Sequence, residues 1–224
     1  MKKILGIALL YTVGMYNVHA QPTNTANFVP ESYVLSETYY GDVNKDGEED
    51  CILIIKGTDE KNVVINRFDQ EVDRNRRGII VLLKNNGSYE VADKNYDCFY
   101  SENEDGGVYY APELWIEVER SNLIIHFAHG RYGYWRYIFR FQESEFKLIG
   151  YDASSNHGPI IDRETSINFL TKKKLTRVNT NQDSEGGDEI FDETWVKFEQ
   201  DRLFKLSEIE HFEDFEDFDM GLEY

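Results

Sequence analysis

Basic residues are in short supply: 24 Lys and Arg stand against 42 Asp and Glu over 224 residues, for a formal net charge of −18. Phosphate backbones demand basic surfaces, so a nucleic-acid binder is excluded. Long apolar runs are scarce too. Beyond the first twenty residues no segment is continuously apolar, so no span of roughly 20 apolar residues is left to cross a bilayer. A Gly-x-Ser-x-Gly elbow, a His-Glu-x-x-His pair and a Gly-rich phosphate loop are all missing, which leaves catalysis without a motif. No long internal repeat is present. Cysteine is limited to Cys51 and Cys98.

Aromatic residues, in contrast, are plentiful. The chain has 15 Tyr, 14 Phe and 3 Trp, a bulky apolar complement that fits a packed core rather than a disordered chain. At the N-terminus Lys2 and Lys3 precede an apolar stretch at residues 4–16, and Val18-His19-Ala20 precede Gln21. This tripartite pattern reads as a signal peptide over residues 1–20, and the expectation is export to the periplasm or the extracellular space. Loss of Lys2 and Lys3 takes the net charge from −18 to −20. No cysteine follows the apolar stretch directly, so a lipid anchor is not expected. In an oxidising compartment a Cys51–Cys98 disulfide is the favoured expectation, worth about 4 kcal/mol on the chain-entropy model. Two buried thiols that never meet are the alternative.

Residues 21–224 read as one α+β, mainly β, domain. Strand patterns occupy residues 33–40, 51–55 and 78–83, and the apolar run Cys51-Ile52-Leu53-Ile54-Ile55 fits a strand buried on both faces. Asn85-Asn86-Gly87-Ser88 is a hairpin signal. Residues 108–180 form an antiparallel meander, in which Trp135, Tyr137, Phe139 and Phe141 share one face of a strand and Arg136 and Arg140 the other. Residues 152–162 read as a polar loop, followed by a hairpin around Lys172-Lys173-Lys174. Residues 188–224 read as a helical, acidic region. Phe191, Trp195 and Phe198 recur at helical spacing within 190–202, Ser207 to Glu210 resembles a capping box, and Phe212, Phe215 and Phe218 would line one side of a helix.

The sharpest polar feature is Asp42-Val43-Asn44-Lys45-Asp46-Gly47-Glu48-Glu49-Asp50. Side-chain oxygens stand at positions 1, 3, 5 and 9, Gly47 permits the bend, and the Glu48 carbonyl can add a ligand, as a hard cation such as calcium requires. Leu53 occupies the place of the position-12 Glu, so the loop is not an EF-hand. It resembles instead the calcium loop of the FG-GAP family, the integrin-like and VCBS-type repeats, over roughly residues 38–92. The resemblance implies structural calcium held by Asp42, Asn44, Asp46, Asp50 and the carbonyl of Glu48. One repeat is present where a propeller needs several blades. A metal-free Asx turn accounts for the same residue types.

His126 and His129 have a His-x-x-His spacing, but strand alternation puts them on opposite faces, which argues against a zinc pair. The turn residues His129, Arg131 and Tyr132 are binding candidates, since Arg and aromatic side chains are enriched at hot spots. The basic island Arg74-Asn75-Arg76-Arg77 reads as a solvated loop. Together these features point to a non-catalytic exported binding protein with a structural calcium loop and a protein or glycan partner. An inhibitor or immunity-type protector against a cationic envelope enzyme is one form of it. A surface-adhesion or glycan-binding module and a carboxylate-dependent hydrolase are the alternatives.

Overall fold

The computed structural model describes residues 25–105 and 111–213. The expected signal peptide, together with Phe215 and Phe218, lies outside the described residues. Strands follow one another as β1 (Tyr33–Gly41), β2 (Asp50–Gly57), β3 (Val63–Ile65), β4 (Glu71–Asp73), β5 (Arg77–Asn85), β6 (Ser88–Phe99) and β7 (Glu113–Glu119). Then come β8 (Asn122–Ala128), β9 (Gly133–Gln142), β10 (Glu145–His157), β11 (Ile160–Asn168), β12 (Lys173–Asn179) and β13 (Phe191–Lys197). They assemble into a four-stranded sheet ordered β1-β2-β5-β6, a seven-stranded sheet running β13-β12-β11-β10-β9-β8-β7, and the small β3–β4 pair. Every pairing is antiparallel. The protein is therefore mainly β, as expected.

Alternation explains how the two sheets meet. Ile52, Ile54, Ile79 and Val81 project from one face of the smaller sheet into a core shared with Leu123, Ile125, Tyr137, Phe139 and Leu148 of the larger one. The intervening Cys51, Leu53, Ile55, Ile80 and Leu82 project the other way and are covered by Phe28, Val29, Tyr33, Tyr89 and Tyr96. Strands β2 and β5 are thus buried on both faces, which is why they lack polar residues at alternate positions. Two-residue hairpins with left-handed backbone join β5 to β6 (Asn86, Gly87), β7 to β8 (Arg120, Ser121) and β9 to β10 (Glu143, Ser144). Positive φ at both turn positions matches the right-handed twist of the strands they join.

The C-terminal segment seals the core. Asn95 Nδ2 donates to the carbonyls of Leu206 and Ile209, each at 2.7 Å, and Phe212 packs on Phe99 and Tyr137 with ring centroids 5.0 and 4.9 Å apart.

Four expectations are corrected. The helix expected over 190–202 is the strand β13: Trp195 is 63% exposed and Phe198 7%, so the aromatic spacing marks no common apolar face. The second helix is a 3-10 turn, Leu206–Glu208, in which Glu208 accepts from the Lys205 amide at 3.1 Å, so its cap is Lys205. The polar stretch 152–162 is mostly strand, because β10 and β11 continue as a ladder to the turn at Gly158-Pro159. Finally, Cys51 and Cys98 are both buried and unbridged. They lie on opposite faces of the small sheet. Cys51 faces Leu82 whereas Phe99 faces Arg77, which sets Cys98 beside Gly78, an offset of about 13 Å along the strand at the usual rise and beyond the reach of a disulfide. Burial pushes the Cys51 thiol up to about 11 and the Cys98 thiol well above its ordinary value, so both are inert.

Among the described residues no helix is long and apolar enough to cross a membrane.

Candidate functional site

The loop between β1 and β2 is organised by its own carboxylates. Asp42 accepts from the amides of Lys45 (2.6 Å) and Gly47 (3.1 Å), Asn44 Oδ1 from the amide of Asp46 (3.0 Å), and Asp46 from the amide of Glu48 (2.8 Å). Lys45 and Gly47 adopt left-handed backbone at φ 70° and 84°, which turns these amides inward. The Glu48 amide and then the Asn44 side chain hold the Asp46 carboxyl below its usual range.

Asp50 behaves differently. It is fully buried, and its two oxygens accept from the amides of Val43 and Lys84, both at 2.9 Å. It therefore pins the base of the loop to β5, while burial raises its carboxyl. Glu48 is paired with Lys84 at 3.2 Å.

The donor set is all oxygen, and each carboxylate oxygen retains a second lone pair. A hard cation in this loop would draw on Asp42 and Asp46, with the Asp50 carboxylate at its base. At Asp46 the cation would replace the Asn44 Nδ2 donor now 2.8 Å from Oδ2. Among the described residues no three His, Cys, Asp or Glu side chains already converge as a metal-binding group.

The three turn residues chosen from the sequence sit together. Gly130–Tyr132 is a 3-10 turn between β8 and β9. The His129 ring lies 5.4 Å from that of Tyr132, and the Arg131 guanidinium 5.9 Å over Tyr132. Their neighbours divide by alternation: Trp135 stacks on Phe127 at 5.1 Å in the core, whereas Tyr134 and Arg136 belong to the opposite face.

That outer face carries an arrangement the sequence reading did not assemble. Direct strand partners place Trp115, His126, Arg136, Asp152, Ser166, Leu175 and Trp195 in one transverse row across all seven strands. Side chains of directly opposed residues share a face, so the row forms one surface. At one end the Trp115 and His126 rings are 3.8 Å apart and His126 stacks on Tyr134 at 5.5 Å with an 11° interplanar angle. In the middle Arg136 donates to Asp152 Oδ2 from Nε and Nη2, at 3.0 and 2.9 Å, and Ser166 Oγ donates to Oδ1 at 2.7 Å. Burial lowers the affinity of His126 for a proton, which keeps the stacked imidazole neutral near pH 7. The alternation of residues 113–119 was legible; the cross-strand register that joins it to Asp152 was not.

A second polar cluster lies at the edge of the core. Arg77, Ser101, Glu104, Phe127, His129 and Glu213 surround a cavity of about 80 Å³, far below the several hundred Å³ of a small-molecule site. Glu213 accepts from the Tyr100 amide at 2.8 Å through Oε1, while its buried Oε2 has no hydrogen-bond partner among the described residues. Burial lifts its carboxyl to about 7.

Arg77 at this cluster also corrects the view of residues 74–77 as a solvated loop. Arg77 and Asn75 are buried, Arg77 Nε donates to the Tyr100 carbonyl at 2.9 Å, and Arg74 pairs with Asp105 at 2.5 Å. Local ion pairs and carbonyl acceptors absorb the charge that the sequence suggested would face water.

No protein-family model, curated protein or solved structure matches the chain. The functional reading therefore rests on the residues themselves.

Proposed function

We propose that the protein is a non-catalytic exported binding module that contacts a glycan through the outer face of its seven-stranded sheet. The observation that carries this reading is the Trp115–His126–Tyr134 stack beside the Arg136–Asp152 pair. An aromatic face offers an apolar, quadrupolar plane on which the C–H face of a pyranose ring packs, and a neighbouring carboxylate and guanidinium can orient its hydroxyls. Titration calorimetry with a panel of neutral oligosaccharides tests it. Binding to one of them, lost in Trp115→Ala and retained in the turn variant Tyr132→Ala, is the expected result. Equal heats from wild type and Trp115→Ala would reject this face.

The acidity of the chain favours a second reading, a cationic protein partner such as an envelope enzyme to be inhibited. A charge of −20 after loss of Lys2 and Lys3 would steer a basic partner toward the surface and accelerate encounter. Its signature is an association rate that falls steeply with ionic strength.

Calcium in the Asp42 loop has a structural role in this proposal. The cation would relieve repulsion among Asp42, Asp46 and Asp50 and hold the β1–β2 connection in register. Chelator-treated protein should release heat with calcium, and Asp46→Ala should not.

A further inference from the structure

Strand β13 ends the larger sheet, and its seven residues follow β12 in unbroken register from Lys173 opposite Lys197 to Asn179 opposite Phe191. The flanking bonds fix which way its backbone faces. Ile190 O accepts from the Thr180 amide and the Phe198 amide donates to Lys172 O, so the even-numbered residues turn toward β12. Backbone groups alternate along an antiparallel strand, and the N–H and C=O groups of Phe191, Glu193, Trp195 and Lys197 therefore point away from the sheet. Nothing among the described residues pairs with this edge. It contains neither a proline nor a bulge, the usual devices that discourage pairing, and Trp195 and Val196 are 63% and 44% exposed.

The side chains select an occupant. Only registers that oppose odd-numbered residues let the outward groups of two antiparallel edges bond. Centred on Trp195, the strand and its copy bring Glu193 opposite Lys197 twice, once on either side of a Trp195 pair, and Thr194 opposite Val196. A slip that opposes Glu193 to Glu193, or Glu193 to Glu199, brings like charges together. The slip that opposes Glu193 to Trp195 leaves Lys197 beside Phe191. Within one chain Lys197 faces Lys173, a like-charge pair that an added carboxylate would relieve. Glu193 lies 3.3 Å from Arg177 and is about half exposed, so its carboxylate has capacity for a second cation.

We propose that β13 pairs antiparallel with β13 of a second copy about a two-fold axis at Trp195, joining two seven-stranded sheets into one. The contact is isologous, so it closes at the dimer and leaves no further β13 edge exposed. Five residues on each side make a small interface, which places the association in the weak, concentration-dependent class.

Sedimentation velocity of the exported protein at physiological salt, from micromolar to submillimolar loading, reads the association directly. The expected result is a monomer–dimer equilibrium in the wild type and a dissociation constant raised at least about tenfold in Trp195→Asp, as for loss of a central aromatic contact. Glu193→Lys and Lys197→Glu should each weaken the dimer, and the double variant Glu193→Lys/Lys197→Glu should restore it. Amide hydrogen exchange adds a readout that does not depend on side chains: the Glu193, Trp195 and Lys197 amides should gain protection as concentration rises, while the Thr194 and Val196 amides, bonded to β12, should not change. A wild type that stays monomeric throughout would overturn the proposal, as would a dimer that persists unchanged in Trp195→Asp.

Discussion

The buried Tyr137 hydroxyl donates to the Phe212 carbonyl, 75 residues along the chain. Tyr137 comes from the middle of β9, and Phe212 from the segment that crosses the core after β13. The Phe212 amide donates to the Cys98 carbonyl at 3.2 Å, so both backbone groups of this residue are satisfied by the two sheets it bridges. The last described residues are therefore part of the core.

Removing this bridge should be costly. Phe212→Ala deletes a fully buried ring in contact with Phe99, Tyr137 and Phe139, and should destabilise by about 3–5 kcal/mol. Tyr137→Phe keeps the ring but strands the Phe212 carbonyl, at about 1–3 kcal/mol. Urea denaturation would rank the two. A Phe212→Ala midpoint equal to wild type would show that the segment is not part of the cooperative unit.

Glu213, one residue further on, should make stability depend on pH. Its carboxyl rises from 4.5 to about 7 because burial penalises the charged form. The folded state holds the proton that the unfolded chain releases near 4.5. The penalty is absent below that pH, grows as the pH rises toward 7 and is complete above it, reaching about 3 kcal/mol. Glu213→Gln, which cannot ionise, should flatten stability between pH 4.5 and 7 and raise it above pH 7. An unchanged slope in this variant would assign the pH dependence to other groups.

Much of the sheet architecture was legible because alternation and turn chemistry are local. Residues 51–55 and 78–83 lack polar alternation and are buried on both faces, and Trp135, Tyr137 and Phe139 fall inward as their period of two required. Phe191, Trp195 and Phe198 misled because spacings of four and three match a helix, yet only Phe198, the residue after β13, is buried, while β-formers such as Trp195 and Val196 stand in water. The candidate site was less legible. His129, Arg131 and Tyr132 are neighbours in sequence and remain neighbours in the fold, whereas Trp115, His126 and Asp152 meet only through the register of β7 to β10, a property of pairs of strands. Glu213 gave no signal of its own among so many carboxylates, since its character comes from burial beside Tyr100.

Asp50 should prove structural whether or not the loop takes calcium. Both its oxygens accept from backbone amides, while Asn presents one acceptor and an NH2 that meets the other amide donor-to-donor. Asp50→Asn should cost about 1–3 kcal/mol, and calcium should not fully restore it. Asn44→Ala, on the exposed side of the loop, should stay within about 1 kcal/mol in the absence of calcium. Thermal melts with and without chelator separate the two effects, and an Asp50→Asn melt equal to wild type would contradict the pinning role.

Gly133 opens β9 directly after the turn that holds His129, Arg131 and Tyr132. Its φ is 109°, a backbone conformation that a side chain strains, and a Cβ built there would lie 1.9 Å from the Ser154 carbonyl oxygen and 2.7 Å from its carbon. Both obstacles are backbone of the neighbouring strand β10, so no rotamer change can relieve the clash. Gly133→Ala must push β9 away from β10, or rotate the Gly133 peptide and lose the 2.9 Å bond from the His129 amide to the Gly133 carbonyl. Either route should cost about 3 kcal/mol or more, combining backbone strain with overpacking. The displacement would also tilt Tyr134, the next residue, out of its stack on His126. Two measurements on the same variant therefore move together: the urea midpoint should fall, and the ring-current shifts that the stack imposes on the Trp115 and His126 ring protons should diminish. Gly130→Ala is the control, because its φ is also positive but no atom lies within 4 Å of the added carbon. It should lose about 1 kcal/mol and keep the Trp115 signal. Equal losses in the two variants would mean that backbone conformation alone, rather than the approach of β9 to Ser154, explains the glycine.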